Sequence, residues 1–443
     1  MNVRFWGTRG SLAKPGPTTL RYGGNTPCVE VRGADGTLIV LDCGTGAHGL
    51  GQFLISSATS PRNGHLMITH THWDHIQGVP FFAPLFVAGN TWDIYAPSAL
   101  GQELERTLAG QMEYEYFPVT LAQLAATTRY HDLREGRFAV GAVRVITQYL
   151  NHPALALGYR LESGGAVIVY ATDHEPHAPN PAARRDGEPP MHSEDRRHVE
   201  FLSGADLIIH DAQYTLEEYP QKTGWGHSPA EWVVDYAVAA RARRLALFHH
   251  DPLRSDDALD RLVERCRERS RAAGSQLQIF AATEGEEVCL LERDADRPGA
   301  EKPPGRAVTT GPLTILVADD EPAIVQVLAA TLQRDGFRVV TANDGTTALD
   351  RARSERPALI LLDWHMPGAN GIEVTQALRR DSDPVVRDVP VVLITAETGA
   401  EHTAAGFRAG VTDYLTKPFR PAHVRARVQA WLQRRRNEAS PRP

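Results

Sequence analysis

The sequence predicts an α/β protein of two domains, a layered α/β domain followed by a smaller, doubly wound one. The chain has 443 residues, which is too long for one ordinary domain. Strand-like apolar runs alternate with helical patterns in both parts. A stretch rich in Pro, Gly and charge begins near Glu292 and is typical of a linker. We therefore predict a first domain, a linker, a second domain and a disordered tail at 1–292, 293–312, 313–436 and 437–443.

Composition and charge predict a soluble, cytoplasmic protein. Hydrophobic residues make up 42%, and no apolar run approaches the roughly 20 residues that a bilayer span needs. The N-terminal segment MNVRFWGTRGS does not resemble a secretory signal. The four cysteines have neither metal-finger nor redox spacing, which favours free thiols in a reducing compartment. A net charge of −7 argues against a broad nucleic-acid footprint.

The first domain is rich in strand-like segments with fewer helical ones. Strands are predicted at VRFWG, CVEVRG, TLIVLD, HLMITH, WDIYA, FAVGAVRVITQ, LALGYRL, AVIVYATD, DLIIHD, RLALFHH, LQIFA and EVCLLE. Helices are predicted near Ser98–Ala109, Ser228–Arg241 and Asp256–Ala273. The polar, Pro-rich stretch His174–His198 indicates a surface loop or flap.

The second domain alternates regularly between strands and helices. The strands are TILVAD, FRVVTA, ALILLD, PVVLITA and DYLTK. The helices lie near Pro322–Gln333, Gly345–Ser354, Gly371–Arg380, Ala400–Ala409 and Pro421–Gln433. Five such βα units predict a doubly wound parallel sheet.

The segment HTHWDH indicates a two-metal site. His70 and His72 alternate on one side of an extended segment, so both imidazoles can face one ion, while Asp74 and His75 can turn toward a second. Imidazole and carboxylate are ligands that Zn²⁺ takes, and a catalytic site keeps one position open for water. Two adjacent ions suit hydrolysis, because they activate water and neutralise a phosphate oxygen.

This segment resembles the signature of the metallo-β-lactamase superfamily, which implies an αββα sandwich with further ligands at later strand ends. The matching positions are His152, Asp173 and His249. The resemblance implies that two Zn²⁺ ions, or Mn²⁺ or Fe²⁺, are bound, with Asp173 bridging them. One ion is then held by His70, His72 and His152, and the other by Asp74, His75 and His249. His250 is the alternative to His249, although an extended chain points it the opposite way.

Six fragments are similar to the phosphodiesterase branch that contains ribonuclease Z and class II-like cyclic-nucleotide phosphodiesterases. They are FWGTRGS, RYGGNTPCVEV, LDCGTG, THTHWDHIQGVPFF, LIIHDAQYT and GWGHSPAEWVV. In ribonuclease Z a Glu–His pair assists the leaving group, and the matching residues are Asp211 and His227. The resemblance therefore implies that Asp74, Asp211 and His227 act in catalysis. Asp replaces Glu here, which shortens the pair by one methylene.

The substrate is less defined than the site. Ribonuclease Z carries an RNA-gripping arm between its third and fourth metal motifs, whereas only the short span from His152 to Asp173 separates them here. A small phosphodiester, such as a cyclic nucleotide or short dinucleotide, is the favoured substrate. The alternatives are a ribonuclease acting on RNA and a non-catalytic metal-binding output module. Asp42 is interpreted as support for the ligands, while Asn25 and Trp73 either line the pocket or are structural.

The second domain places polar residues at its strand ends, where a doubly wound sheet forms its crevice. Asp319 and Asp320 follow the first strand, Asp363 the third, Thr395 the fourth and Lys417 the fifth. Three carboxylates at one edge would repel one another unless a hard cation such as Mg²⁺ joined them.

The fragments VADDEP, LLDWHMPGANG, LITA and YLTKPF resemble the response-regulator receiver family, which has a flavodoxin-like (βα)5 fold. The resemblance implies that Asp363 is the phosphoacceptor, that Asp319, Asp320, Asp363 and the His365 carbonyl hold Mg²⁺, that Thr395 and Lys417 contact the phosphoryl group, and that Tyr414 is the switch residue. It also implies a cognate histidine kinase or phosphotransfer protein. We expect no membrane partner and no DNA-binding domain, and homodimerisation is left open.

Overall fold

The computed structural model describes residues 1–56, 63–97, 104–177, 193–290, 313–395 and 409–417, together with 419, 424–425, 428 and 431–432. The chain divides into two compact units. The first contains Met1–Pro176 and Ser193–Pro298, and the second contains the C-terminal part from Gly299. The predicted linker and tail lie outside the described residues, so the domain boundaries remain predictions.

Two seven-stranded sheets form the centre of the first unit. Its strands are β1 (Asn2–Gly7), β2 (Cys28–Arg32), β3 (Leu38–Leu41), β4 (Asn63–Met67), β5 (Thr91–Pro97), β6 (Thr127–Leu133), β7 (Gly136–Val140), β8 (Val143–Tyr149), β9 (Leu157–Ser163), β10 (Ala166–Ala171), β11 (Leu207–Asp211), β12 (Arg244–Phe248), β13 (Gln278–Ala281) and β14 (Glu287–Cys289). The strand orders are β14-β1-β2-β3-β4-β5-β6 and β13-β12-β11-β10-β9-β8-β7.

The two sheets face each other. Phe5 of β1 packs against Phe248 of β12, with ring centroids 6.2 Å apart. The Tyr159 hydroxyl in β9 donates to the carbonyl of Ile68, just after β4, over 2.6 Å. Burial of apolar side chains between the sheets is the main stabilising contribution to such a sandwich.

Helices cover the outer face of each sheet. They are α1 (Gly46–Ser56), α2 (Trp73–Ile76), α3 (Leu104–Gly110), α4 (Ser193–Leu202), α5 (Ala230–Ala239) and α6 (Asp256–Ala272). Short 3-10 turns lie at Val79–Phe81, Ala83–Phe86, Leu121–Gln123 and Tyr219–Gln221. Leu50 of α1 and Leu108 of α3 share a core with Leu66 of β4. On the other side, Val233 of α5 and Leu262 of α6 share a second core with strand residues. This arrangement is the expected αββα sandwich.

The second unit has the doubly wound sheet that the sequence predicts. Its elements are β15 (Thr314–Ala318), α7 (Pro322–Gln333), β16 (Arg338–Ala342), α8 (Gly345–Glu355), β17 (Leu359–Asp363), α9 (Gly371–Arg379), α10 (Pro384–Arg387), β18 (Val391–Thr395) and β19 (Asp413–Thr416). The strands are parallel in the order β16-β15-β17-β18-β19, so the carboxyl ends of β15 and β17 lie side by side.

The structure departs from the sequence predictions in several elements. The single strand predicted at FAVGAVRVITQ is a hairpin, β7 and β8, which turns at Gly141 with φ +54°. Five helices and strands were not predicted: α1, α2, β6, α4 and α10. Residues 98–103, 396–408 and most of 420–436, where helical segments were predicted, lie outside the described part.

The prediction of a surface loop at His174–His198 is wrong at both of its described ends. His174 and Glu175 are buried, and the α4 helix begins at Ser193. Helix α4 buries Asp195 and His198 where an amphipathic helix ordinarily buries apolar residues, so the expected apolar period is absent. Residues 178–192 lie outside the described part.

Candidate metal centre and phosphoacceptor pocket

Strand ends bring the predicted metal ligands together. Strands β10, β11 and β12 are parallel, so Asp173, Asp211 and His249 lie at the same edge of their sheet. Asp173 and His249 both have φ +57°, a left-handed conformation that non-glycine residues rarely adopt. Such strain concentrates at functional sites, where the surrounding structure holds it in place.

The first group of donors comprises His70, His72, His152 and Asp173, whose ligand atoms all lie within 4.8 Å of one another. His72 Nδ1 is 3.2 Å from His152 Nε2. His70 Nε2 and His152 Nε2 lie 3.6 and 3.8 Å from Asp173 Oδ2. The structure thus assembles the four residues that the sequence assigns to the first ion.

The second group comprises Asp74, His75 and His249, again with ligand atoms within 4.8 Å of one another. His249 Nε2 is 3.2 Å from Asp74 Oδ2 and 3.2 Å from Asp173 Oδ1. Asp173 therefore directs Oδ2 to the first group and Oδ1 to the second, as a bridging ligand must. His250 points elsewhere, since its Nε2 lies 2.9 Å from the carbonyl oxygen of Ala282.

These donors fit two divalent cations. His70 Nε2 is buried and has no hydrogen-bond partner among the described residues, which is costly unless something else satisfies it. Burial lowers the pKa of His70, and it lowers the pKa of His152 to about 3, so both imidazoles stay neutral and able to ligate. Histidine and aspartate together suit Zn²⁺, Mn²⁺ or Fe²⁺.

Buried neighbours orient the ligand imidazoles. Asp42 Oδ2 is 2.8 Å from His75 Nδ1 and accepts a hydrogen bond from the Tyr170 hydroxyl, which fits the supporting role expected of it. Gln213 Oε1 is 3.0 Å from His249 Nδ1. The second nitrogen of each ring is thereby engaged, which fixes which nitrogen faces the metal site. The sequence analysis did not find Gln213, although it follows Asp211 by two residues.

The predicted acid pair also forms. His227 Nδ1 is 2.9 Å from Asp211 Oδ2, despite the aspartate's shorter side chain. A ring nitrogen of His227 lies within 4.8 Å of the ligand atoms of Asp173 and His249. Burial lowers the pKa of His227, but Asp211 and the nearby Asp173 and Asp74 outweigh this and raise it to about 9. His227 is therefore protonated at neutral pH.

Glu175 is a functional residue that the sequence analysis missed. Its buried carboxylate accepts hydrogen bonds of 2.7 Å from the backbone N–H groups of Gly224 and Gly226 and from the Tyr219 hydroxyl. It therefore holds the loop that carries His227. The Gly226 carbonyl in the same loop lies 3.0 Å from His152 Nδ1, so this loop also orients a metal ligand. The only sequence signal was an acidic residue two positions after Asp173.

Asn25 and Trp73, which were expected either to line the pocket or to be structural, have different surroundings. Asn25 is structural, because its backbone N–H and side-chain amide both donate to the Glu284 carboxylate. Trp73 extends to solvent with 72% of its surface exposed.

The second unit brings its acidic residues around one ammonium group. Lys417 Nζ lies 2.7 Å from Asp363 Oδ1 and 3.0 Å from Asp319 Oδ2. Asp363 Oδ2 accepts the backbone N–H of His365 over 2.8 Å. Burial, with the nearby Asp363 carboxylate, raises the pKa of Asp319 even though Lys417 lies beside it. A hard divalent cation such as Mg²⁺ fits an oxygen-rich cluster of this kind.

The remaining receiver candidates lie near this cluster in the sheet. Thr395 is buried at the end of β18, next to β17, and Asp320 is exposed directly after Asp319. Tyr414 belongs to β19, but its side chain lies outside the described part of the chain.

Comparison with known protein families matches each unit separately. Residues 37–250 match the β-lactamase superfamily domain, and residues 315–429 match the response regulator receiver domain. The DNA-binding response regulator MtrA of Mycolicibacterium smegmatis is 43% identical over 127 residues, or 29% of this chain and 53% of MtrA. The regulator PhoB of Escherichia coli is 40% identical over 120 residues, or 27% of this chain and 52% of PhoB. The chain thus spans about half the length of these curated relatives.

Solved structures match in the same two regions. The metallo-β-lactamase fold protein YhfI of Bacillus subtilis is 17% identical, covering 65% of this chain and 98% of YhfI with a TM-score of 0.44. The short form of human tRNase Z is 20% identical, with coverages of 65% and 99% and a TM-score of 0.44. The chemotaxis regulator CheY4 of Vibrio cholerae is 34% identical, with coverages of 27% and 99% and a TM-score of 0.26.

The family matches identify a β-lactamase superfamily domain at 37–250 and a response regulator receiver domain at 315–429, and both donor groups lie within the first. The first domain has the αββα sandwich of the metallo-β-lactamase fold, and the second has the doubly wound fold of a receiver domain. Among the helices that the structure describes, none has the length and apolar character that a membrane span requires.

The His249–His250 pair offers a matched test of the metal site. In the His249→Ala variant we expect the bound metal to fall from two ions toward one, because the second donor group keeps only Asp74 and His75 of its own residues. His250→Ala should keep both ions, since its side chain contacts the Ala282 carbonyl and the Tyr22 ring and is not part of either donor group. Elemental analysis of the dialysed zinc-loaded proteins measures this, with circular dichroism to verify folding. Equal loss of metal in both variants would contradict the assignment.

Proposed function

We propose that the first domain is a two-metal phosphodiesterase acting on a small phosphodiester, and that phosphorylation of the receiver domain regulates it. The observation that carries the proposal is the placement of the His227–Asp211 pair beside two donor groups that share Asp173. A metal site alone suits many hydrolyses. A buried, oriented imidazole next to it also suits a reaction whose leaving oxygen needs a proton.

The protein's own residues divide the work of such a reaction. When bound, two divalent cations supply positive charge that activates water and neutralises phosphate oxygens. Asp74 is held in place by the Ser11 backbone N–H, which donates to its Oδ2 over 2.8 Å, so this carboxylate can orient the attacking water. Asp211 accepts a hydrogen bond from Nδ1–H of His227. The other ring nitrogen, Nε2–H, is then free to protonate the leaving alkoxide.

The chain between the third and fourth metal motifs favours a small substrate. It contains only the hairpin of β9 and β10, which turns at Gly164 and Gly165. An arm of the kind that grips RNA in ribonuclease Z has no place in this hairpin. Cyclic nucleotides and short dinucleotides are therefore the proposed substrate class.

A substrate panel tests this function directly. The purified, metal-loaded full chain should be incubated with cyclic mononucleotides, cyclic and linear dinucleotides, folded RNA and a chromogenic lactam. We expect metal-dependent hydrolysis of one or more small phosphodiesters. Preferential cleavage of RNA would establish the ribonuclease alternative. No hydrolysis of any probe by the two-metal protein would favour a non-catalytic output module.

The role of His227 predicts a dependence on the leaving group. His227→Ala should lower kcat on a nucleotide phosphodiester by about 10²–10⁴, the range typical of a general acid. The loss should be much smaller on a nitrophenyl phosphodiester, whose leaving group needs no proton. Metal content should be unchanged. An equal loss on both substrates would exclude the proton-donor role.

The role of Glu175 predicts a loss of activity in a variant with an intact metal-binding set. Glu175→Gln replaces one acceptor oxygen by an NH₂ group that opposes the N–H of Gly224 or Gly226. We expect kcat to fall by about 10–100-fold, as when other supporting partners of a metal site are removed. Glu231→Gln is the control, because Glu231 is also buried, and its described partners, the Leu216 backbone N–H and Arg265, lie outside the metal-binding set. Steady-state kinetics of both variants measure this, and equal kcat in both would contradict a positioning role.

Receiver phosphorylation is proposed at Asp363 by a histidine kinase or phosphotransfer protein. Lys417 bridges Asp363 and Asp319, so a phosphoryl group on Asp363 would draw this ammonium away from Asp319. A Mg²⁺ ion at the cluster would balance the added charge. Rearrangement of Lys417 is therefore the local event that phosphorylation would trigger.

Beryllofluoride with Mg²⁺ mimics the aspartyl phosphate and tests the regulation. We expect it to change either kcat/KM or the association equilibrium constant of the full chain by about 5–150-fold. Asp363→Asn should abolish this response. Kinetics and light scattering measure both quantities. If beryllofluoride binds the wild-type protein and changes neither, the receiver does not regulate this hydrolase in cis.

A further inference from the structure

Two tryptophans are exposed directly beside the metal-binding residues. The chain has seven tryptophans, and Trp73 and Trp225 are the two that are mostly solvent-exposed, at 72% and 58%. Others in the first unit, such as Trp92 and Trp232, are buried at 1% and 3%. Two exposed indoles next in sequence to the donor groups or their contacts offer flat apolar surface next to the site.

Each of the two tryptophans is next in sequence to a residue that contacts the His152 imidazole. Trp73 directly follows His72, whose Nδ1 is 3.2 Å from His152 Nε2. Trp225 directly precedes Gly226, whose carbonyl oxygen is 3.0 Å from the other nitrogen of His152. The two tryptophans are thus next in sequence to residues that contact the two different nitrogens of His152, a member of the first donor group.

Both tryptophans sit on fixed backbone. Trp225 lies between Gly224 and Gly226, which have φ of +85° and +87° and whose N–H groups are held by Glu175. A side chain at Gly226 would place its Cβ 2.2 Å from His152 Nδ1, so the loop approaches the ligand as closely as glycine permits. Trp73 is the first residue of α2, between the ligands His72 and Asp74. Such fixed placement lowers the entropic cost of binding a partner.

One face of Trp225 already has a cationic neighbour. Lys222 Nζ lies 4.1 Å from its ring centroid, a cation–π distance. The lysine orients the indole and covers one face, which leaves the opposite face for a flat aromatic partner. Its positive charge also suits an anionic ligand.

We propose that Trp73 and Trp225 are stacking platforms for two nucleobases, one on each side of the scissile phosphate, and that the substrate is a dinucleotide. This inference rests on the proposed phosphodiesterase function. Every base offers a π-face, so stacking on an indole tolerates any base sequence. A single nucleoside would engage one platform, and only a phosphodiester with a base on each side would engage both.

Substitution of each platform tests the proposal with two probes, a linear deoxyadenosine dinucleotide and the methyl ester of AMP. Trp73→Leu and Trp225→Leu keep apolar bulk but remove the extended π-surface. Each should raise KM for the dinucleotide by about 5–100-fold, with kcat changed less than about threefold. Trp→Phe at the same positions should restore most of the affinity. Tyr114→Leu is the control, because Tyr114 is 81% exposed in the same unit and adjoins none of the ligands.

Two outcomes would overturn the platforms: unchanged KM for the dinucleotide in both leucine variants, or equal wild-type kcat/KM for the two probes. Equilibrium binding of the dinucleotide, followed by calorimetry, separates this inference from the proposed function. If wild-type protein binds it and the leucine variants do not, the platforms stand even where no hydrolysis occurs, and only the phosphodiesterase proposal fails. If all variants bind equally, the platforms fail whatever the activity.

Discussion

The rest of the metal site depends on the two-sided contact of the Asp173 carboxylate with both donor groups. Its Oδ2 faces the first donor group and its Oδ1 faces the second, so one buried side chain sets the spacing of both. The residue is held at φ +57°, which costs free energy on the order of 1–3 kcal/mol. Strand β10, paired on both sides by β9 and β11, constrains the backbone and thereby holds this conformation. A bridging ligand on a mobile loop could not keep two donor groups in register.

The two sites handle buried negative charge in different ways. In the receiver, Lys417 supplies a permanent cation between Asp363 and Asp319. In the hydrolase, the recorded ion pairs of Asp74 and Asp173 are all with histidines. A histidine that ligates a metal is neutral, so it does not balance these carboxylates. Once these histidines ligate, bound cations would balance the carboxylates, whereas Lys417 already neutralises part of the charge in the receiver site.

The fold class and the ligand set could both be predicted from the sequence, because both depend on local patterns. The ligands lie in the HTHWDH segment after β4 or just beyond the ends of β8, β10 and β12, and the helix Pro322–Gln333 shows a regular apolar period. Other features depend on contacts that no local pattern records. Glu175 bonds to N–H groups 49 and 51 residues away. Helix α4 could not be predicted from an apolar period, because its buried positions include Asp195 and His198. The hairpin of β7 and β8 was missed because apolar residues continue through its turn at Gly141.

The loop from Gly224 to His227 links recognition to chemistry in this molecule. Glu175, two residues after the bridging Asp173, holds its N–H groups, and the Gly226 carbonyl orients His152. The same four residues carry an exposed indole and the imidazole that pairs with Asp211. These contacts share one short segment, which Glu175 and Asp211 hold in place without a ligand. A base stacked on Trp225 would therefore add binding energy, while the placement of His227 depends on the protein's own contacts.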